Sequence, residues 1–421
     1  MPMEEVEICS RGGRMSEGIA RAVAHFAGLM REQLERVERM KKRPRGPAFA
    51  EVSRLVIGVC PGDGIGPVIT RETGRVLGVL LSSELASGRV ELRVIDGLTL
   101  ENRLAHGKAI PDPVLAALKE CHVILKAPTT TPEKGGPYPN IESANVAMRR
   151  ELDLFANVRP VKVPQLGIDW VFFRENTEGA YILGSKGLMV SDELGVDFTA
   201  VTRPGCERII RMAFEHARAH GVDRVLGVTK ANVIKTTDGL FLEVGAHIAR
   251  EFPGIAWESW YADIVAAKLI DPKRRSTFRV FVLPNLYGDI LSDEAAEVQG
   301  GVGTAGSANI GTEHAMFEAI HGSAPRMVQE GRGAYADPSS LMRAAVMMLG
   351  HVGMSEASAR LEKALDLCGQ FERRLVITGR ADGATAEDFA DYVIATLASG
   401  DLDVRWQAAV DAAAGSPGKG E

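Results

Sequence analysis

Between residues 54 and 398, short apolar runs rich in β-branched residues alternate with stretches whose apolar positions recur every three or four residues. No other feature restricts the fold as much. Strands joined through helices cross over and run parallel, and a parallel sheet must be covered on both faces. Strands are expected at 55–60, 89–95, 122–127, 155–161, 168–174, 198–203, 224–229, 255–261 and 278–283. Helical patterns fall at 68–81, 112–120, 143–153, 205–220, 237–251, 262–270, 286–299, 340–351, 355–371 and 385–398. The fold class is therefore α/β with much parallel sheet. With 421 residues the chain can bury a large core and divide into two domains.

Reactive groups in such folds collect where strands end and helices begin. The stretch 280–303 is such a junction: Pro284 and Asn285 stop a strand, and a helical pattern follows to the glycines at 300, 301 and 303. Asp289 and Asp293 lie four apart at its start, so both carboxylates share one face and call for a cation between them. A hard divalent ion, Mg2+ or Mn2+, suits oxygen ligands of this kind, although solvated carboxylates on a first helical turn are also favoured by the dipole. Asp263, at the strand–helix junction WYADIV, is a third candidate ligand. Arg149, Arg159 and Arg174 each lie near an element end, where guanidiniums can fork onto carboxylates or pair with Glu151, Asp153 and Glu175. Tyr181 follows Arg174 by seven residues and can donate a proton if a nearby cation lowers its pKa. Lys230 ends the run RVLGVT, with Asn232 and Lys235 after it. PGDGIGP at 61–67 is a glycine-rich strand–helix turn, but its spacing is not GxGxxG, which makes it a weak phosphate signal. NIG at 309–311 and HGSAP at 321–325 read as small, polar turns able to cradle a nucleotide.

Composition removes other classes. A net charge of −6 gives no electrostatic case for nucleic acid, and no apolar run approaches the roughly 20 residues of a membrane span. Five scattered cysteines without a CxxC pattern argue for reduced thiols and a cytoplasmic location. Residues 1–50 read as an added helical segment. Ile19, Val23, Phe26, Met30, Leu34 and Val37 form an apolar seam, Ser16 is the expected cap, and a basic run from Lys41 to Arg45 follows. The seam suits docking on the same chain or self-association. The acidic residues at 4, 5, 7 and 17 argue against a transit peptide. Residues 412–421 read as a disordered tail.

Taken together, the motifs resemble those of the β-decarboxylating dehydrogenases, the family of isocitrate, isopropylmalate, homoisocitrate and tartrate/malate enzymes. The resemblance spans roughly residues 54–398 and rests on GDGIGP (62–67), KAPTTTP (126–132), SxNxxxR (143–149), DLFANVRP (153–160), RENTEGAY (174–181), TKANVIK (229–235), NLYGDILSD (285–293), NIG and HGSAP in that order. It implies an isocitrate/isopropylmalate dehydrogenase-like two-domain fold, not a Rossmann fold, with the active site in the interdomain cleft. Residues 51–154 and 299–411 would form the large, coenzyme-binding domain, and 155–298 the small domain with substrate, metal and dimer contacts.

The resemblance further implies that Arg149, Arg159 and Arg174 hold substrate carboxylates, with Lys126, Ser143 and Asn145 beside them. Tyr181 would protonate the enolate after CO2 loss. Lys230 would help remove the hydroxyl proton and, with Asp263, would come from the second subunit of a homodimer. Asp263, Asp289 and Asp293 would bind the metal. Thr130, Thr131, Asn232, His321, Gly322, Ser323, Ala324, Pro325, Arg326 and Asp337 would contact the coenzyme. Ser143 and Asn145 are polar where an isopropylmalate enzyme would present apolar groups, which favours isocitrate; the long loop between Pro132 and Ser143 leaves the other hydroxy acids open. The pair Arg326-Met327 after HGSAP matches neither the Asp-Ile of NAD enzymes nor the Lys-Tyr of NADP enzymes. Arginine can pair with a 2′-phosphate, which tilts the expectation to NADP with NAD as the alternative. Retention of Tyr181, Lys230 and the three aspartates argues for a catalytic chain and against a regulatory subunit.

Overall fold

The computed structural model describes residues 3–42, 49, 52–132, 135, 136, 138–163, 166–184, 186–301 and 305–414, with backbone alone for 3–16, 182, 184, 413 and 414. Twelve strands occur among these residues: β1 Leu55–Cys60, β2 Val90–Val94, β3 Val123–Lys126, β4 Ala156–Val163, β5 Ile168–Glu175, β6 Leu188–Ser191, β7 Leu194–Val196, β8 Arg224–Thr229, β9 Ala256–Tyr261, β10 Val280–Leu283, β11 Gly306–Ile310 and β12 Ala315–Ala319. Ten form one sheet in the order β2-β1-β3-β12-β11-β4-β5-β10-β8-β9, and β6 and β7 pair as a separate hairpin. The β2-β1-β3-β12 and β5-β10-β8-β9 blocks are parallel, whereas β12-β11, β11-β4 and β4-β5 are antiparallel. Strand order reverses repeatedly, and the carboxyl ends of β3, β12, β5, β10, β8 and β9 carry most of the reactive side chains.

The inner parallel strands β1, β3, β8 and β10 are buried on both faces, as parallel strands under helices must be, while the edge strands β2 and β9 are largely not. Ile57 and Val59 of β1 face a cluster with Leu77, Phe317 and Leu349, while Val56 and Cys60 face another with Leu118, Ile124 and Met148. Beyond β11, Phe173, Ile209, Phe214 and Phe241 fill one side, and Trp170, Phe172, Phe281 and Leu291 the other. Phe172 stacks on Phe281 at 4.5 Å between ring centroids. Buried members of the first two clusters come from 55–154 and 308–402, and those of the other two from 155–295.

Several expectations need correction. Residues 198–202 form no strand: Thr202 caps the helix Arg203–Ala219 by accepting from the Gly205 N–H at 3.1 Å, Pro204 occupies its first turn, and Phe198 stacks on Phe26 instead of entering a sheet. NIG belongs largely to β11 and not to a turn, and the β12 run AMFEA was not anticipated, because both strands are short and rich in small residues. The amino-terminal helix begins at Met3, so Ser16 lies within it. This helix docks on its own chain, yet Ile19, Val23, Phe26, Met30 and Leu34 of the seam stay largely exposed while Leu29 is buried. Arg43, Pro44, Arg45 and Pro47 lie outside the described residues. The last helix runs to Ala414, so residues 412–414 are ordered helix and 415–421 lie outside the described residues.

Candidate active site

The helix Asn285–Gln299 starts directly after β10 because Pro284 cannot extend the strand and its own carbonyl accepts the first helical bond, from Gly288. Asn285 accepts from Arg174 Nε and Nη2 at 3.0 and 2.7 Å and donates to the Glu178 carbonyl at 3.0 Å. One turn on, Asp289 receives Arg174 Nη1 and the Tyr181 hydroxyl, and Arg159 Nη2 lies 3.6 Å away. A further turn on, Asp293 receives Arg159 Nη1, which also reaches Ser292 Oγ at 2.8 Å. The spacing that put Asp289 and Asp293 on one face thus aims both at guanidiniums from the adjacent β4 and β5. Gly288 is needed between them, because a Cβ there would lie 2.6 Å from the Arg174 side chain.

Arg149, from the helix Ala144–Glu151, approaches Glu318 at 3.3 Å on the other side of a cleft. Asn145, Arg149, Arg159, Ser307, Glu318 and His321 line it. The Nε atoms of Arg149 and Arg159 are buried without a partner among the described residues, as is His321 Nε2. These orphaned groups match an anionic, hydrogen-bonding occupant. Asn145 Oδ1 accepts from Thr129 Oγ1 at 3.3 Å; Ser143 caps the same helix through its backbone only. Lys126, fully buried at the end of β3, stands 3.5 Å from Glu318, its register partner on β12.

Glu318 and Ser307 were not foreseen; Asn309 was read only within NIG as lining a nucleotide turn, and Asn285 only as a strand stop. Asn309 donates to Glu318 at 2.8 Å and accepts from Asn157 at 2.9 Å and from Asn176 at 3.0 Å, while Asn157 also donates to Ser307 at 2.8 Å. A lone acid inside the apolar run AMFEA was the available signal. Burial raises the cost of charging Glu318, but Lys126 and Arg149 outweigh it and hold the carboxyl below its ordinary range. Burial pushes Lys126 down, against the pull of Glu318. Burial likewise brings Arg174 down to about 10, with Arg149 adding repulsion and Asp289 opposing. Burial pushes Asp289 up, but Arg174, the Tyr181 hydroxyl and Arg159 together outweigh it and hold the carboxyl below its ordinary range.

Tyr181 departs from expectation. Arg174 lies over its ring at 5.2 Å, yet the hydroxyl is pushed up, by burial first and then by its bond to Asp289. Burial and then the adjacent carboxylate outweigh the cation at this phenol.

Lys230 and Asp263 form a pair of their own, Nζ to Oδ1 2.6 Å, at the ends of β8 and β9. Asp263 does not join Asp289 and Asp293: among the described residues no three Asp, Glu, His or Cys groups gather to hold an ion. Asp289 and Asp293 remain partly exposed oxygen donors of the type Mg2+ and Mn2+ take, so two of the three expected ligands come together within one chain.

The glycine-rich turn clamps two loops. Asp63 accepts from the Leu100 and Thr130 N–H groups at 2.9 and 2.8 Å, and the Ile65 N–H donates to the Ser323 carbonyl at 3.0 Å. Thr130 and Ser323 share a hydroxyl hydrogen bond of 2.7 Å, and Ala324 adopts φ 44° before the helix Pro325–Gln329. Thr131, Asn232, Gly322 and Pro325 are exposed. Arg326 is 87% exposed and pairs with Glu330 at 2.7 Å, while Asp337 accepts from the Ser339 N–H at 2.8 Å.

Comparison with known proteins gives the same outline. The family model described as isocitrate/isopropylmalate dehydrogenase matches residues 56–374. An isocitrate dehydrogenase [NADP] of Rickettsia prowazekii is 38% identical over 315 residues, covering 73% of this chain and 62% of that protein. The chain thus spans about three fifths of that relative's length. A homoisocitrate dehydrogenase of Methanocaldococcus jannaschii is 35% identical over 330 residues, 75% of this chain and 90% of that protein. The crystal structure of isocitrate dehydrogenase from Methylococcus capsulatus superposes with a TM-score of 0.70 at 34% identity, covering 82% of this chain and all of that one. The fold, the order of the motifs and this breadth of match agree, and the chain belongs to the isocitrate/isopropylmalate dehydrogenase family.

Proposed function

We propose that the chain oxidises and decarboxylates isocitrate to 2-oxoglutarate and CO2, using a divalent cation, Mg2+ or Mn2+, and NADP as hydride acceptor. The observation that carries this reading is that Arg149 and Arg159 line one cleft while Arg159 reaches on to Asp293 and Asp289, where Arg174 and the Tyr181 hydroxyl also meet. Planar guanidiniums pin carboxylates in fixed directions and so fix the geometry of the reacting carbons. Asn145 beside Arg149, with Ser143 on the same helix start, supports a substrate bearing a third carboxylate over one bearing an alkyl tail.

Asp289 and Asp293 would hold the cation, which when bound polarises the C2 oxygen and stabilises charge developing as CO2 leaves. Tyr181, kept protonated by burial and Asp289, holds a proton at its hydroxyl for C3 of the enolate. Lys230, oriented by Asp263, takes up the hydroxyl proton. We assign that pair to a neighbouring copy's site in a homodimer. Support comes from the exposed apolar residues around it: Val233, Tyr261 and Ile264 beside the pair, and Leu286 and Ile290 on the helix carrying Asp289. A coenzyme domain of 51–154 with 299–411 and a substrate domain of 155–298 are supported by the division of the buried clusters. The exposed Arg326 supports NADP, and four free, buried cysteines support a reducing, cytoplasmic setting; no helix among the described residues is long and apolar enough to cross a membrane.

Steady-state turnover of isocitrate, homoisocitrate, 3-isopropylmalate and D-malate with each coenzyme tests the reading. The highest kcat/KM is expected for isocitrate with NADP. A preference for 3-isopropylmalate would overturn the argument from Ser143 and Asn145.

A further inference from the structure

We infer that the amino-terminal helix is a positioning element for the active site, acting through the contact of Arg36 with Glu178; the inference rests on the reading of that site given above. The helix Met3–Lys41 lies outside the residues matched by the family model. It lies against the β6–β7 hairpin: Arg21 donates to the Met189 carbonyl at 2.6 Å, His25 Nε2 lies 2.6 Å from the Lys186 carbonyl, and Glu32 pairs with Lys186 at 2.5 Å. Gly18 permits the approach, since a Cβ there would fall 2.3 Å from the Val190 carbonyl oxygen. Further along, Arg36 leaves the hairpin and reaches the segment between Arg174 and Tyr181. Its Nη1 is 2.6 Å from Glu178 Oε1 and its Nη2 2.8 Å from Thr177 Oγ1, with side-chain exposures of 16% for Arg36 and 3% for Glu178.

Glu178 is the junction of a continuous polar path. Its carboxylate also accepts from the Thr202 N–H at 2.8 Å and from the Thr202 hydroxyl, and its N–H donates to Glu175 Oε2 at 2.6 Å. Its carbonyl fixes Asn285, which holds Arg174, which holds Asp289, on which the Tyr181 hydroxyl rests. The charged groups facing this buried acidic turn are few. Arg208, from the helix Arg203–Ala219, donates to Thr177 Oγ1 at 2.6 Å but divides its charge with Asp153 at 2.7 Å; Cys206 lies nearby with its thiol pushed up by burial. Arg36 is the cation in direct contact with Glu178 among the described residues. Burial pushes Glu175 up, to about 7, Glu178 adds repulsion, and Arg208 and Arg36 oppose both. Without Arg36, two buried carboxylates face one shared cation. Leaving such a charge uncompensated is costly, and the turn relieves it by taking a proton or by opening. Either response loosens the link from Asn285 to Arg174 and Tyr181.

The test uses the full chain carrying Arg36→Met, Arg36→Lys or Leu34→Ala. Leu34 is 67% exposed on the same helix and serves as the control. Arg36→Met is expected to lower kcat about tenfold with a smaller change in KM, because it misplaces groups that act in the reaction more than it removes binding. A raised Glu175 is protonated at higher pH, so the acid limb of kcat should move up by about one pH unit. Arg36→Lys should restore most of kcat, and Leu34→Ala should match the parent. Amide hydrogen exchange across 174–181 should quicken in Arg36→Met, a readout independent of turnover. Parental exchange and an unmoved acid limb in Arg36→Met would overturn the inference. Quickened exchange in a chain that turns over no hydroxy acid would sustain the contact and refute the proposed activity instead.

Discussion

Asp289 receives three groups that pull in different directions. Arg174 and Arg159 hold its charge, while Tyr181 spends its proton on the second oxygen. That arrangement keeps the phenol protonated, since ionising it would place two anions side by side. Tyr181→Phe should therefore reduce kcat about a hundredfold, the scale of losing a positioned acid. In rapid mixing, the first round of coenzyme reduction should survive while steady turnover is lost, because hydride leaves before the proton arrives. An equal slowing of both phases would count against the role. Read singly, the arginines, the tyrosine and the aspartate pair each had a structural explanation; it was the order of the motifs, and the resemblance it carries, that set them in one expected site, and the structure links Arg159, Arg174, Tyr181, Asp289 and Asp293 by direct contacts. Glu318 was hidden, and so was the part Asn309 plays beside it: both are buried inside short strands of small residues, and their value lies in cross-strand partners that local spacing does not reveal.

At the scale of elements, the GDGIGP turn shows how a local rule acquires a distant purpose. Gly64 has φ +61°, and a Cβ on it would lie 1.9 Å from the Ser323 carbonyl oxygen. Gly88 has φ +73° with open space around it. Gly64→Ala should cost about 3 kcal/mol or more, combining left-handed strain with a backbone clash, and Gly88→Ala about 1–2 kcal/mol from strain alone. Urea unfolding of the two variants checks the difference, and equal losses would show that the Ser323 contact adds nothing. The turn, the strands and most helices were readable from periodicity and glycine placement. The segment 198–202 was not, because its β-branched residues meet a cap at Thr202 and an aromatic partner on a helix far away in sequence. The helix Met3–Lys41 was readable as a helix, but its docking face was not: most of the regular apolar seam stays outward, and apart from Phe26 and the buried Leu29 polar residues make the contacts.

For the whole molecule, the separation of Lys230 and Asp263 from the Asp289 cluster carries the claim that two copies share each site. Tyr181→Phe and Lys230→Met chains should each be nearly inactive, yet a co-refolded mixture should recover about a quarter of parental activity, because half the dimers are hybrids with one intact site. No recovery would place Lys230 in its own chain's site. The resemblance supplied Asp263 of a second copy as the group that completes the ion's coordination; spacing along one sequence could not, since that depends on a surface another molecule must cover. The central claim is that Asp289 and Asp293 grip a divalent ion against a bound hydroxy acid. Calorimetric titration of Mn2+ into the parental chain and into Asp289→Asn, each saturated with isocitrate, tests it most directly. The account predicts one ion per site in the parent and an affinity lower by about a hundredfold or more in the variant; equal affinities would contradict it.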